Sequence, residues 1–183
     1  TYTYNPSGIR VSDGATNFLV DPNNHTGYAQ VLEEKTGVTV TRTYTLGDDV
    51  ISQGASGGSV HHLLYDGHGS TRALSAHGTP ATLAQNYNFD AYGNALGNIA
   101  TALTPLLYAG EYLASSANQY YLRARHYDAA NGRFNREDPF AGNNDDPQSL
   151  HKYAYAHTNP VSYTDPSGLL SLIEQIVVQA TQA

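Results

Sequence analysis

The feature that most constrains this chain is a short turn that recurs along it, built from Asx, two variable residues and glycine. The turns begin at Asn5, Asp66, Asp90 and Asp165, and in all but the last an aromatic residue immediately precedes the Asx. An Asx side chain accepts hydrogen bonds from the backbone that follows it, and glycine tolerates positive φ at the exit of such a turn. The pattern therefore favours short strands joined by tight turns.

Two of these turns repeat with a spacing of 24 residues, which separates Asp66 from Asp90 and also Gly69 from Gly93. A repeat of this length is one supersecondary unit that cannot bury its own apolar face, so units have to stack into an extended sheet. Residues 39–44 alternate with the period of two that a half-buried strand shows.

The composition supports an all-β fold, because fifteen Tyr and abundant Thr and Val favour strands while seventeen Gly favour turns. We read Gly54 to Gly58 as a flexible loop. The predicted strands are Thr1 to Tyr4, Thr16 to Val20, Ala29 to Glu33, Val38 to Leu46, Val60 to Tyr65, Thr71 to Leu74, Gln85 to Phe89 and Gln119 to Arg125.

Charge and length restrict the function classes. The net charge is −7 and only 14% of residues are charged, so no basic field is present to bind nucleic acid, although a nuclease could be attached elsewhere. No apolar run approaches the roughly 20 residues of a membrane helix, so stable membrane insertion is not expected. The chain begins at Thr1 and contains no Met, from which we expect a piece of a longer protein, with any export signal outside it.

The last third carries the most specific signal. It is an ordered run that passes through Tyr120 to Asp128, Gly132 to Phe134, Asp138-Pro139 and Asn159-Pro160, and ends at Asp165 to Leu169. This run resembles the Rhs repeat-associated core domain, and the aromatic-Asx turns resemble the YD repeats of Rhs proteins. The resemblance is close over the last third and diffuse over the rest.

The resemblance to Rhs proteins, and to the related insecticidal toxin-complex C subunits, implies a spiralling β-shell that encloses a C-terminal effector, with the core domain as a plug. It divides the chain into YD repeats (1–112), core domain (113–169) and the start of an effector or a docked helix (170–183). It implies that an aspartyl autoprotease frees the effector after the Leu of a D-P-x-G-L motif, here between Leu169 and Leu170. The implied partners are the effector, the rest of the shell and secretion-system components, and the implied location is outside the producing bacterial cell.

Peptide hydrolysis by two carboxylates needs one ionised group to take a proton from water and one protonated group to donate to the scissile carbonyl. Two Asp side chains about 3 Å apart arrange this themselves, because both cannot carry charge in a site of low dielectric constant. Asp138 and Asp165 are the candidates, and Arg125 matches the arginine that assists the family's protease. Gly168 would let the backbone approach the pair closely, and Leu169 would need an apolar pocket.

A structural interpretation of the same residues stands beside this one. Asp before Pro is an ordinary turn initiator, the same turn recurs at Asp66 and Asp90, and Arg125 could pair with a carboxylate only to pin strands. The second hypothesis is therefore a non-catalytic YD-repeat module for encapsulation or cell-surface adhesion.

The C-terminal tail predicts a short amphipathic helix. Ser171 and Glu174 fit a capping box, and the apolar residues from Leu172 to Ala180 fall on one helical face. A frayed linker end is the alternative, because so short a helix is marginal in water.

No cofactor or metal site is expected. The pair His61-His62 and the nearby His68 lack the spacing of zinc ligands. Asn143 to Asp146 lacks the Gly and the terminal Glu of a calcium loop, so we read it as a solvated loop.

Overall fold

The computed structural model of the protein describes residues 1–78 and 82–169, and these form two antiparallel β-sheets. The first is a nine-stranded meander in which each strand pairs with the next along the chain. Its strands are β1 (Tyr2–Tyr4), β2 (Arg10–Asp13), β3 (Thr16–Asp21), β4 (Gln30–Thr36), β5 (Thr39–Leu46), β6 (Val50–Ala55), β7 (Val60–Tyr65), β8 (Thr71–Ala76) and β9 (Leu83–Asn86).

The second sheet has four strands, also paired in sequence order. They are β10 (Tyr112–Ala114), β11 (Gln119–Leu122), β12 (Arg125–Asp128) and β13 (Arg133–Phe134). The helical segments in the described ranges are single 3-10 turns at Tyr108–Gly110, Pro147–Leu150 and Ala156–Thr158. The expected all-β fold with an extended sheet is confirmed, whereas the expected terminal helix lies outside the described residues.

The Asx turns are built as the sequence predicts. In those of Asn5, Asp66 and Asp90, the Oδ1 atom accepts the backbone amides two and four residues further on, at 2.9 to 3.0 Å. The glycine that closes each turn has a positive φ, from 77° at Gly8 to 90° at Gly93.

The expected single strand from Gln119 to Arg125 is wrong. The chain reverses at Arg123 and Ala124, so that Leu122 pairs with Arg125 and two strands form where one was predicted. Arg123 has a φ of 52°, and the turn contains no Gly, Asn or Asp that would signal it. Contacts with distant residues hold it instead, since Arg123 Nη1 lies 2.6 Å from both carboxylate oxygens of Glu111 and donates to the Pro166 carbonyl at 2.7 Å.

Other strand predictions also need correction. The strand expected at Gln85 to Phe89 lies earlier, at Leu83–Asn86, and the strands β2, β6, β10 and β13 were not predicted. Gly54 belongs to β6 and pairs with Thr43, although we read it as part of a loop. A Cβ on Gly54 would lie 2.8 Å from the Thr43 hydroxyl, so glycine permits a close side-chain approach here.

The hydrophobic core joins one face of the first sheet to the second sheet and its loops. Leu74 of the first sheet and Leu107 of the connecting segment are fully buried. Tyr127 of β12 stacks on Tyr155 with ring centroids 4.1 Å apart. Six of the fifteen tyrosines are buried in this core, and three more pack against it.

Three core tyrosines also fix the Asp90 turn. The hydroxyls of Tyr108, Tyr127 and Tyr120 donate to the successive carbonyls of residues 91, 92 and 93, at 2.8, 2.7 and 3.2 Å. Each hydroxyl thereby gains the partner that a buried phenol needs. This turn is docked on the core through its backbone.

Arg10 links the two sheets. It is 2% exposed, and its Cζ atom lies within 5.6 Å of four aromatic ring centroids, two from each sheet. The rings are those of Tyr2, Phe18, Tyr112 and Tyr121. Such cation–π contacts are strongest when the cation is desolvated, as it is here.

Candidate active site around Arg125

The last Asx turn, Asp165 to Leu169, packs against the hairpin turn between β11 and β12. Asp165 Oδ1 accepts the amides of Gly168 and Leu169 at 2.9 and 3.2 Å, and Ser167 Oγ donates to it at 3.0 Å. Asp165 is 3% exposed, whereas Asp90 of the corresponding earlier turn is exposed. Burial therefore distinguishes this Asx from the turns that it resembles in sequence.

Arg125 begins β12 and is also 3% exposed. Its Nη2 lies 2.7 Å from Asp138 Oδ2 and 3.6 Å from Asp165 Oδ2. Its Nε donates to the carbonyl of Gly168, one residue before Leu169. One planar guanidinium thus contacts both predicted carboxylates and the main chain beside the predicted cleavage site.

The chain returning at Lys152 holds Asp138 in place. The Asp138 amide donates to the Lys152 carbonyl at 2.9 Å, and Arg125 Nη1 donates to the same oxygen at 3.1 Å. Asp138 Oδ1 accepts the Phe140 amide at 2.9 Å, while Oδ2 contacts Arg125. The Phe134 ring lies 3.7 Å from Arg125 Cζ, which places a π face against the cation.

The two carboxyl groups differ in environment. Burial raises the pKa of Asp165 to about 7, and hydrogen bonds from Ser167 and the nearby charge of Arg125 offset only part of this rise. Burial lowers the pKa of Arg125, although both carboxylates favour its charged form. The Asp138 side chain is 14% exposed and makes the shorter ion pair. Near neutral pH, the site can therefore hold one protonated carboxyl beside an ion-paired one, as acid–base chemistry requires.

The structure brings together the residues that the sequence singled out. Arg125, Asp138, Asp165 and Gly168 meet at one point, and Leu169 lies at its edge with 36% exposure. Leu170 lies outside the described residues. The arrangement differs from the expected pair of carboxylates, because guanidinium Nη2 contacts both of them.

Sequence reasoning missed several residues of the cleft. Lys152 acts through its backbone carbonyl, which no side-chain pattern could reveal. Phe134 and Ser167 lie within the ordered run that resembles the core domain. Nothing in the sequence indicated that the Phe134 ring packs against Arg125 or that Ser167 donates to Asp165. His151 and His157 also line the cleft.

Two further observations concern the residues that the structure describes. In residues 1–78 and 82–169, no cluster of three or more His, Asp or Glu side chains could hold a metal ion. Over the same ranges, no helix has the length and apolar character needed to cross a bilayer.

The chain is similar in sequence or in fold to short segments of much longer proteins. The chain is 32% identical over 176 residues to the tRNA3(Ser)-specific nuclease WapA of Bacillus spizizenii. This match covers 92% of the chain but only 7% of that nuclease. No protein-family model matches the chain.

Segments of two solved structures have the same fold as this chain. TcdB2-TccC3 without its hypervariable C-terminal region superposes with a TM-score of 0.62 at 21% identity, covering 92% of this chain and 9% of that one. The Tc holotoxin pore of Photorhabdus luminescens, with a mutation in TccC3, gives 0.65 at 16% identity, covering 94% of this chain and 9% of that one. The chain therefore shares the fold of a segment of the Tc toxin.

Proposed function

We propose that this segment is an intramolecular aspartyl protease that cuts its own chain between Leu169 and Leu170. The observation that carries the proposal is the position of Arg125, whose guanidinium contacts Asp138, Asp165 and the carbonyl of Gly168 together. A turn that served only to reverse the chain would not require two carboxylates at one buried arginine.

The different environments of the carboxyl groups suggest their roles. Asp165, with its raised pKa, is the proton donor to the carbonyl oxygen of Leu169, and Asp138 accepts a proton from the attacking water. As the tetrahedral intermediate collapses and its C–N bond breaks, Asp138 donates the proton that it took from water to the nitrogen of Leu170, and Asp165 takes a proton back from one hydroxyl of the intermediate. The products are a new carboxyl group at Leu169 and a new amine at Leu170.

Cleavage at this bond would separate a shell from a payload. In this proposal, the chain is the end of an Rhs-type β-shell, residues 113–169 are its plug, and an effector follows from residue 170. The shared fold with a segment of TcdB2-TccC3 and the similarity to a segment of WapA support this assignment. Delivery out of the producing cell, with secretion components as partners, is part of the same proposal.

The second candidate is a plug that holds the shell closed without hydrolysis. It is favoured by the Asp90 turn, another Asx turn of this chain, which is docked on the core through three successive carbonyls. Under this hypothesis, the contacts of Arg125 only fasten the end of the sheet.

The two functions differ in their response to matched substitutions. The full-length protein, with its natural downstream sequence, should appear in an intact-mass measurement as two species divided after Leu169. Asp138→Asn and Asp165→Asn should each leave one uncut species. The control is Asp90→Asn, since Asp90 Oδ1 also accepts two backbone amides of its own turn, those of Tyr92 and Asn94, but lies outside the site.

The control decides how a loss of cleavage is interpreted. The protease assignment requires that Asp90→Asn still cuts and that both site variants stay folded, as judged by far-UV circular dichroism. A wild-type protein that remains uncut at pH 5 to 8 would leave the plug as the better account.

A further inference from the structure

Three successive carbonyls on the N-terminal side of the proposed scissile bond are held by three successive residues of the hairpin turn between β11 and β12. The donors are the Arg123 side chain, the Ala124 amide and the Arg125 side chain, which hold residues 166, 167 and 168 in that order. The first two hydrogen bonds measure 2.7 and 3.2 Å. The chain therefore lies along the turn in one register.

The fit between the two segments is close. We call residues Leu122–Arg125 the cradle. A Cβ built on Gly168 would lie 2.2 Å from the Leu122 carbonyl oxygen and 3.1 Å from the Arg125 amide nitrogen. Only a residue without a side chain can sit against the cradle in this way, so steric contact and hydrogen bonding fix the same register.

Arg123 is anchored by groups that do not belong to the carboxylate pair. Its Nη1 lies 2.6 Å from both carboxylate oxygens of Glu111, a residue that is 7% exposed. Its Cζ lies 5.2 Å from the Tyr28 ring centroid, so the loop between β3 and β4 also packs on it. The nitrogen that holds Pro166 is thus also held by Glu111.

We infer that the cradle is the binding site for the chain on the N-terminal side of the scissile bond, and that Arg123 is its positioning residue. This inference rests on the proposed self-cleavage. By holding the carbonyls of residues 166 to 168, the cradle sets where the Leu169 carbonyl lies relative to Asp138 and Asp165. Small displacements of a reacting group from its productive position are expensive, at about 100-fold in rate for 1 Å.

The chain offers a matched control for Arg123. Arg42 Nη1 lies 3.1 and 3.0 Å from the two carboxylate oxygens of Glu34, and the side chains of Arg42 and Arg123 are 23% and 20% exposed. This second pair lies in the first sheet and holds no part of residues 165–169. Arg42→Met therefore removes a similar ion pair from a different place.

The experiment measures the rate constant of self-cleavage per folded molecule, after synthesis of the full protein. Arg123→Met should slow cleavage by about tenfold or more, Arg123→Lys should restore part of the rate, and Arg42→Met should match the wild type. Equal rates for wild type and Arg123→Met, or equal slowing by both Met variants, would overturn the positioning role.

Hydrogen exchange separates this inference from the proposed cleavage. The Ala124 amide, which donates to the Ser167 carbonyl, should lose protection in Arg123→Met and keep it in Arg42→Met, even in the uncut Asp138→Asn background. Absence of wild-type cleavage with this exchange pattern would refute the protease but not the cradle as a binding site. Unchanged protection in Arg123→Met would refute the cradle whether or not the chain cuts itself.

Discussion

Replacing Gly168 with alanine should cost much more stability than the same change at Gly8. Both glycines close an Asx turn with a similar φ, 71° at Gly168 and 77° at Gly8. Both amides donate to the Asx carbonyl three residues earlier. The conformational penalty of a Cβ in the left-handed region, about 1–2 kcal/mol, is therefore common to the two variants.

The surroundings of the two glycines differ. No atom lies within 4 Å of a Cβ built on Gly8, whereas one on Gly168 would lie 2.2 Å from the carbonyl oxygen of Leu122. Real Cβ atoms do not approach backbone oxygen this closely, so the Asp165 turn must move off the cradle. Overpacking of this kind costs about 1–3 kcal/mol. Gly168→Ala should thus lower the free energy of unfolding by about 1–3 kcal/mol more than Gly8→Ala does.

Urea unfolding followed by tyrosine fluorescence suits this comparison, because the chain has fifteen Tyr and no Trp. The uncut Asp138→Asn protein provides a uniform background. In the cleavage-competent protein, Gly168→Ala should also abolish cutting while Gly8→Ala leaves it intact. Equal losses of stability in the two variants would show that the close approach of Gly168 to the cradle adds nothing to the cost of a Cβ at this position.

Three further predictions concern charged groups in the interior. Because the pKa of Asp165 is raised from about 3.9 in the unfolded chain to about 7 in the folded one, its contribution to stability is complete below about pH 4 and is lost as the pH rises to 7. Measured by urea unfolding, the free energy of unfolding of Asp165→Asn should rise relative to that of the wild type by roughly 4 kcal/mol across this window. A difference between the two proteins that does not change with pH would contradict the assigned burial. Arg10→Ala should destabilise by about 3 kcal/mol and Arg10→Met by less, because Met keeps the apolar packing against the rings, while both variants lose the cation–π contacts and the 3.8 Å ion pair with Asp13. Thermal unfolding of both variants tests this, and equal losses would mean that the charge itself stabilises the two sheets. Arg125→Lys should lower the rate of self-cleavage about 100-fold, because an ammonium group cannot contact both carboxylates and Gly168 together. A time course followed by mass measures this rate. A near-normal rate would exclude the Arg125 guanidinium as the group that organises the site.

Much of the fold could be predicted because its turns are local. The hydrogen bonds of the Asp66 turn join atoms two to four residues apart, so the sequence of that turn contains all of its partners. The hairpin turn at Arg123 could not be predicted in this way. It has no turn-forming residue, and its stability comes from Glu111 and Pro166, which are distant in sequence. The β6 strand was missed for a similar reason, since Gly54 is typical of a loop in sequence but pairs with Thr43 of β5 and Val60 of β7.

The sequence by itself determined that the chain folds as short strands between Asx turns, and it identified Arg125, Asp138 and Asp165 as the residues of interest. Only the tertiary structure decided that Asp165 differs from Asp90. Both residues begin a turn of Asx, two variable residues and glycine, and that sequence pattern does not separate the buried carboxyl group from the exposed one. Burial against the cradle raises the pKa of the Asp165 carboxyl group, while the nearby charge of Arg125 offsets part of that rise, and both effects depend on how the second sheet packs. Desolvation is a property of the surroundings, which is why the turn motif alone could not reveal it.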